Sequence, residues 1–286
     1  MSAIAVVGFT WKSITQVNNE QALTREGQIT DRYTAAVENL GNKGSEDVRL
    51  GGVYALQRLM KDSPRDQATV IDVLSSFIRA HSKKPQSGDR ETSLKTILTS
   101  DVTAAAAVLA SRDSRNDGTT RVNLFEADLH RVNLTGGDLS NANLNLTDLR
   151  DANLSDVIAY DATLGDANLY GASLSGADLR GLILARADLR HATLGDAALR
   201  DADLGYADLR DANLYGANLR DANLDGANLD GANLRDANLD GANLGCASFS
   251  ETDLKGALNI PGKTAPEKCD TERWLHPYSR PKHHQR

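Results

Sequence analysis

From Arg121 to Gly256 the chain repeats every five residues, and that period restricts the fold more than any other feature of the sequence. Ala212-Asn213-Leu214-Tyr215-Gly216 is followed by Ala217-Asn218-Leu219-Arg220-Asp221, and the register runs from Val122-Asn123-Leu124 to Thr252-Asp253-Leu254. Central positions every five residues from 124 to 254 make 27 repeats, of which 25 carry Leu; Ala159 and Phe249 are the exceptions. Two residues before the centre 20 of the 27 are Ala, and one residue before it 20 of the 27 are Asp or Asn. So uniform an apolar pair requires one constant, buried environment, and leaves the other three positions to solvent.

A helix does not fit, because five steps of about 100° carry Leu round every face. Ala-Asn-Leu alternates as a strand does, and the Gly or Asp after each Leu supplies a turn. A short extended piece and a turn, repeated, wind into a coil with flat sides. The motif Ala-(Asp/Asn)-Leu-X-X resembles the pentapeptide-repeat family over nearly half the chain. The resemblance implies a mainly β fold: a right-handed quadrilateral β-helix of four repeats per coil, with the centre Leu and preceding Ala pointing inward. At about 4.8 Å per stacked strand the rod is on the order of 30 Å long. Its ends need caps, since each coil contacts only its neighbours. No Pro, which would delete a ladder bond, occurs between Pro85 and Pro261.

Three regions follow: a small α-helical domain over 1–115 with a HEAT-like hairpin, the repeats over 121–256, and a tail or cap over 257–286. Ala3 to Trp11 is apolar, but nine residues fall short of the roughly 20 that span a bilayer. The stretch reads either as a helix end packed in the helical domain or as the stump of a membrane helix, since some family members carry membrane segments here. Periodicity predicts a helix from about Thr15 to Leu40, with Gly41 to end it. A second is expected over about 46–61, with Ser45 as N-cap and Val48, Val53, Leu56, Leu59 and Met60 inside. Its Gly51 and Gly52 point to close helix packing. Ser63-Pro64-Arg65-Asp66 resembles a capping box before a third helix to about His81, with Val70, Ile71, Leu74, Phe77 and Ile78 inside. Lys83 to Arg90 reads as a linker. A short helix near Leu94 to Leu98 and another from Asp101 to Ala110, capped by Ser100, lead to the repeats. In the tail, Trp274 and Leu275 are placed to cover the last coil, and Lys282-His283-His284 reads as disordered.

The net charge of −7 is uneven. Arg121 to Gly256 holds 22 acids and 11 Lys or Arg, a balance of −11, whereas the first 120 residues sum to +1 and the residues after Gly256 to +3. Cys246 and Cys269 have no metal-like spacing and read as reduced thiols of a cytosolic protein. None of the six His sits in a ligand motif, and no P-loop, GxGxxG or GxSxG is present. The expectation is no enzyme, no cofactor and no metal.

With four repeats per coil, residues 20 apart stack. Asp128, Asp148, Asn168, Asp188, Asp208 and Asn228 then form a column of acids with no base in line, the best candidate for a negative face. Arg180, Arg200 and Arg220 form another column, with Arg190 and Arg210 on the opposite side. Ile158 and Ile183 replace the usual Asp or Asn near one edge, with Tyr160 and Tyr170 close in sequence, and such an apolar patch among acids marks a candidate partner site. Two functions are open. One is a non-catalytic interaction or scaffold protein of unknown protein partner, monomeric, in a bacterial cytoplasm or held on the inner face of the membrane through its N-terminus. The alternative, implied by the resemblance, is DNA mimicry: binding DNA gyrase, a type II topoisomerase, and protecting it from topoisomerase poisons. A rod at −11 over about 30 Å carries one net charge per ~3 Å, against one per ~1.7 Å for duplex DNA, so direct nucleic-acid binding is not expected.

Overall fold

The computed structural model describes residues 3–82, 98–250 and 252–259. Four α-helices stand before the repeats among these residues: α1 (Ala3–Leu40), α2 (Glu46–Asp62), α3 (Gln67–His81) and α4 (Ser100–Ala110). The repeats then wind as a right-handed quadrilateral β-helix. Each residue before a centre forms one parallel β-bridge to its counterpart four repeats on, as in Asn123↔Asn143, Asn143↔Thr163 and Thr163↔Ile183. Four repeats therefore make one coil. The extended part of each repeat is a single bridge long, so every side of the rod is a ladder of bridges.

The rungs obey one rule. The central N–H donates to the coil above (Leu124 to the Asn143 carbonyl, 2.8 Å), and the residue before a centre donates to the coil below (Asn143 to Val122, 2.9 Å). The second residue after the centre again donates upward (Glu126 to Asn145, 3.1 Å). Each corner is closed by the next N–H returning to the Leu carbonyl, as Ala127 does to Leu124 at 3.0 Å. The second residue after the centre takes a positive φ, 56° at Asp156 and 66° at Gly216, the third position of a type II turn. Gly is at ease there, and Asp and Asn tolerate it better than most residues. Much of the acid content thus has a backbone reason. From Val122 to Leu244 every central residue is buried, Ala159 included, and so is every residue two before it, Gly137 among them, which packs against Ala110.

In the helical part α1 packs on α2, and α2 and α3 pack on α4. Ser45 caps α2, its hydroxyl accepting from the Val48 N–H at 3.3 Å. Of the two adjacent glycines only Gly52 lies at the crossing, where a Cβ would meet the Ala36 carbonyl and the Leu40 amide at 2.8 Å; Gly51 faces open space. Val53, Leu56, Leu59 and Met60 pack with Val70, Ile71, Leu74, Phe77 and Ile78, but Val48 is 38% exposed, one turn too early on α2 to reach this core. The Ser63 motif is no capping box: its hydroxyl bonds the Asp66 carboxylate at 2.5 Å, a 3-10 turn fills Pro64–Asp66, and α3 starts at Gln67. Thr99, not Ser100, is the residue before α4. Buried Asp101 joins α4 to Arg49 of α2. Burial pushes its carboxyl up, yet bonds from Thr99, Arg49 and the Val102 N–H outweigh this and hold it low.

The helices close the lower end of the rod. The first coil has no coil beneath it, so the N–H groups at Asn123, Asp128, Asn133 and Asp138 need other acceptors. Asn123 donates to the Ser75 hydroxyl (3.3 Å), Asp128 to the Ser82 carbonyl (3.2 Å) and Asp138 to the Ala110 carbonyl (2.7 Å). A buried knot lies beside them. Arg112 grips Asp117 with two nitrogens, at 2.6 and 2.9 Å, and donates to the carbonyls of Leu109 and Asp138, both at 2.7 Å. Gln67 donates to Asp117 at 2.6 Å and to the Asp113 carbonyl at 2.7 Å.

Cys246 is disulfide-bonded, which corrects its reading as a reduced thiol. Cys269, Trp274, Leu275 and the Lys282–His284 end lie outside the described residues, as do the 83–90 linker and the helix expected near Leu94.

Replacing Arg112 with Ala strands the Asp117 carboxylate inside the junction, a change worth about 3–5 kcal/mol. The expected result is that loss in urea unfolding, with hydrogen exchange of the Asp138 amide rising more than that of Asn218. Equal exchange at both would show that the knot does not hold the junction.

Candidate interaction surface

Four sides are exposed, beginning with the repeats centred on Leu124, Leu129, Leu134 and Leu139. The Asp or Asn before most centres has a local task. Its Oδ1 accepts the N–H two residues on, as Asn213 does from Tyr215 at 3.2 Å and Asp188 from Arg190 at 3.2 Å. That N–H is the one the ladder leaves over. Amide side chains also bond between coils, as Asn233 to Asn213 at 2.9 Å and Asn243 to Asn223 at 3.0 Å. On the third side Ser155, Ser173 and Thr193 link their hydroxyls at 2.8 and 3.3 Å.

The column of Asp128, Asp148, Asp188 and Asp208 is stacked on the second side through the bridges Asp128↔Asp148, Asp148↔Asn168, Asn168↔Asp188 and Asp188↔Asp208. It is not an unopposed negative face. Arg150 grips Asp148, Arg190 grips Asp188 and Arg210 grips Asp208, with closest contacts of 2.7, 2.7 and 2.6 Å. His130 Nδ1 lies 2.6 Å from Asp128. Residues two apart on an extended segment project to the same side, so Asp-Leu-Arg places the base beside the acid. The neutralising partner thus comes from along the strand and not from along the stack. Asp128 and Asp148 are 7% and 4% exposed, and it is guanidinium that meets solvent. Arg190 also lies 5.5 Å from the Tyr170 ring centre, as in a cation–π pair.

The opposite, fourth side carries Arg180, Arg200 and Arg220. Arg180 grips Asp178 at 2.6 Å, but Ala198 and Asn218 stand where the next two would find their acids, so these reach the corner residues Asp201 (3.2 Å) and Asp221 (3.3 Å). The acid surplus of the rod thus sits along the corners, with Asp156, Asp196 and Asp236 in one column and Gly176 and Gly216 between them.

Ile158 and Ile183 are 39% and 42% exposed. Ile158 lies on the fourth side between Asp138 and Asp178, and Ile183 on the first side between Thr163 and Asp203. They flank one edge, because Ile158 precedes the corner at Asp161 and Ile183 follows the corner stacked above it at Gly181. Tyr160, 39% exposed, belongs to this edge; Tyr170, two repeats on, is on the opposite side. Neither Ile can accept the leftover N–H that Asp or Asn accepts. Among the described residues no group of His, Cys, Asp or Glu is placed to hold a metal ion, and no helix is long and apolar enough to cross a membrane.

A family model described as pentapeptide repeats matches eight copies, over residues 127–166, 160–196, 183–221, 194–231 and 217–256. No curated protein matches the chain. Among solved structures it is similar to HetL, a pentapeptide repeat protein involved in heterocyst differentiation regulation from the cyanobacterium Nostoc sp. strain PCC 7120, at 31% identity over 51% of this chain and 90% of that one, TM-score 0.23. It is similar to Rfr23 from the cyanobacterium Cyanothece 51142 at 33% identity over 47% and 91%, TM-score 0.20. Full-length QnrB1, a plasmid-mediated fluoroquinolone resistance protein, is 19% identical over 47% and 80%, TM-score 0.37.

The Arg180 guanidinium bonded to Asp178 holds that carboxyl below the usual carboxylate range, against the upward pull of burial. A depressed folded pKa means that the pair stabilises the fold fully above the unfolded value of about 3.9 and is lost as pH falls through the folded value. Carboxyl NMR titration is expected to give Asp178 a midpoint below about 3.9, and Arg180→Gln to raise it. An unmoved midpoint in the variant would show that the pair does not form in solution.

Proposed function

Since the chain belongs to the pentapeptide-repeat family, we propose that it is a non-catalytic interaction protein, a rigid rod that presents one edge to a protein partner. The observation that carries this reading is the edge of Ile158, Tyr160 and Ile183. At Ile158 and Ile183 the chain gives up the Asp or Asn that satisfies the turn amide, and it exposes large apolar side chains instead. An unmade backbone bond of this kind is worth on the order of 1 kcal/mol. Asp161 and Asp201 border the edge together with Arg180 and Arg200, the latter paired with Asp201, so the partner presents chiefly apolar side chains. Direct nucleic-acid contact is not part of this reading.

The helices close the rod's lower end and stiffen the junction, which makes them part of the rod's construction and leaves recognition to its outer surface. Mimicry of DNA towards gyrase is the weaker reading. Its best face is covered by guanidinium groups, and the corner acids of one column, two coils apart at ~4.8 Å per coil, are spaced at ~10 Å, against ~3.4 Å between phosphates of one DNA strand.

Photo-crosslinking in cells decides between the surfaces. A crosslinking residue at Ile158 or Ile183 is expected to give one discrete protein adduct, and the same residue at Arg150 or Arg210 none. Adducts from Arg150 and Arg210 alone would overturn the edge assignment. Purified protein is expected to leave gyrase supercoiling unchanged with or without a fluoroquinolone. Salt-sensitive inhibition at stoichiometric protein would restore the mimicry reading.

A further inference from the structure

Within the 27 repeats, three positions in the row before the centres are apolar, Ile158, Ile183 and Ala198, and they are not scattered along the rod. Ile158 and Ala198 stand on the fourth side, one coil below and one coil above Asp178. Ile183 follows the corner at Gly181, next to that same middle level. The residues after the centres repeat the arrangement, with Tyr160 and Arg200 one coil below and one coil above Arg180. A two-fold axis perpendicular to the rod at the Asp178–Arg180 level therefore exchanges Ile158 with Ala198 and Tyr160 with Arg200. It leaves Ile183 beside its own image.

The exchanged residues are complementary. Ile158 is large and exposed, while Ala198 is the smallest side chain in the same column, between Asp178 and Asn218. One offers a knob where the other leaves the column low. Tyr160 is exposed too. Arg200 lacks an acid two residues before it, because Ala198 stands there, and it reaches sideways to Asp201 at 3.2 Å. Its guanidinium suits an aromatic ring, as that of Arg190 suits Tyr170. At the axis the charges are already matched: Asp178 grips Arg180, and the Asp161 carboxylate, leaning over Gly181, adds to the field on Arg180.

We infer that the partner of this edge is a second copy of the chain, docked antiparallel about a two-fold axis at the Asp178–Arg180 level. The inference rests on the reading of the edge given above and names its occupant. It takes the place of the monomer expected from the sequence. A two-fold contact uses one patch twice, which demands a knob and a notch at mirrored positions of the same side. A foreign partner makes no such demand. From Ile158 to Ala198 the matched levels span two coils, about 10 Å, so the contact belongs at the small end of specific interfaces and the dimer separates on dilution.

Purified full-length protein is expected to pass from one to two chain masses across a concentration series in sedimentation velocity. Ile158→Asn gives the Tyr160 amide the acceptor that Asn168 gives Tyr170. Ala198→Asp gives Arg200 the acid that Asp178 gives Arg180. Both restore the repeat, so each is expected to keep or raise Tm while weakening the dimer about a hundredfold or more, since each change enters the interface twice. A photo-crosslinking residue at Ile158 of the purified protein is expected to attach to the other copy's tryptic peptide 191–200, which holds Ala198. A monomer at every concentration, a dimer untouched by either substitution, or attachment to a different peptide would each overturn the inference. The edge reading falls separately: a monomer whose Ile158 crosslinks a foreign protein in cells refutes the second copy and keeps the edge.

Discussion

A backbone ladder that closes once every four repeats governs this molecule. Each repeat contributes one bridge, too short to hold alone, and the ladder is stable because coil lies on coil. Everything inward follows from it. Leu and Ala recur because each level of the rod presents the same cavity to the next. Everything at the corners follows from it as well, since a five-residue period with one extended stretch needs a turn with a positive φ in every repeat, and Asp, Asn and Gly are the residues that accept it.

A ladder has ends, and the ends decide the rest of the architecture. Below the first coil the amides of Asn123, Asp128 and Asp138 are taken up by Ser75, Ser82 and Ala110. The Arg112–Asp117–Gln67 knot ties α3 and the end of α4 to the first coil at Asp138. The helical part therefore supplies what a further coil would have supplied. At the other end Leu239 makes the last upward rung from a centre among the described residues, and the chain changes its corner geometry at Cys246.

On the outer surface, backbone demand and recognition compete for the same positions. Aspartate before a centre caps a turn amide and binds the arginine two residues on. Aspartate after a centre satisfies the turn. Neither is evidence of a partner by itself. The informative positions are those where the rule is broken by a large exposed apolar side chain, Ile158 and Ile183, and that is why the proposed partner edge lies there.

The sequence by itself determined the coil. The five-residue period excluded a helix. With four repeats to a coil it stacked Asp128 on Asp148 and set Ile158 beside the corner below Ile183, because each of these depends only on spacing. It also contained the Asp-Leu-Arg pairs in plain view, since alternation along an extended segment is a local property; the stacking direction alone conceals them. Helix cores were legible in the same way, apart from Val48, whose exposure depends on where α2 meets its neighbours. Only the tertiary structure decided that guanidinium groups cover the second side, that α3 and α4 receive the first coil's amides, that Arg112 and Gln67 meet at Asp117, and that Cys246 is bonded. Most of these are contacts between segments far apart in the chain, and no local period carries information about them.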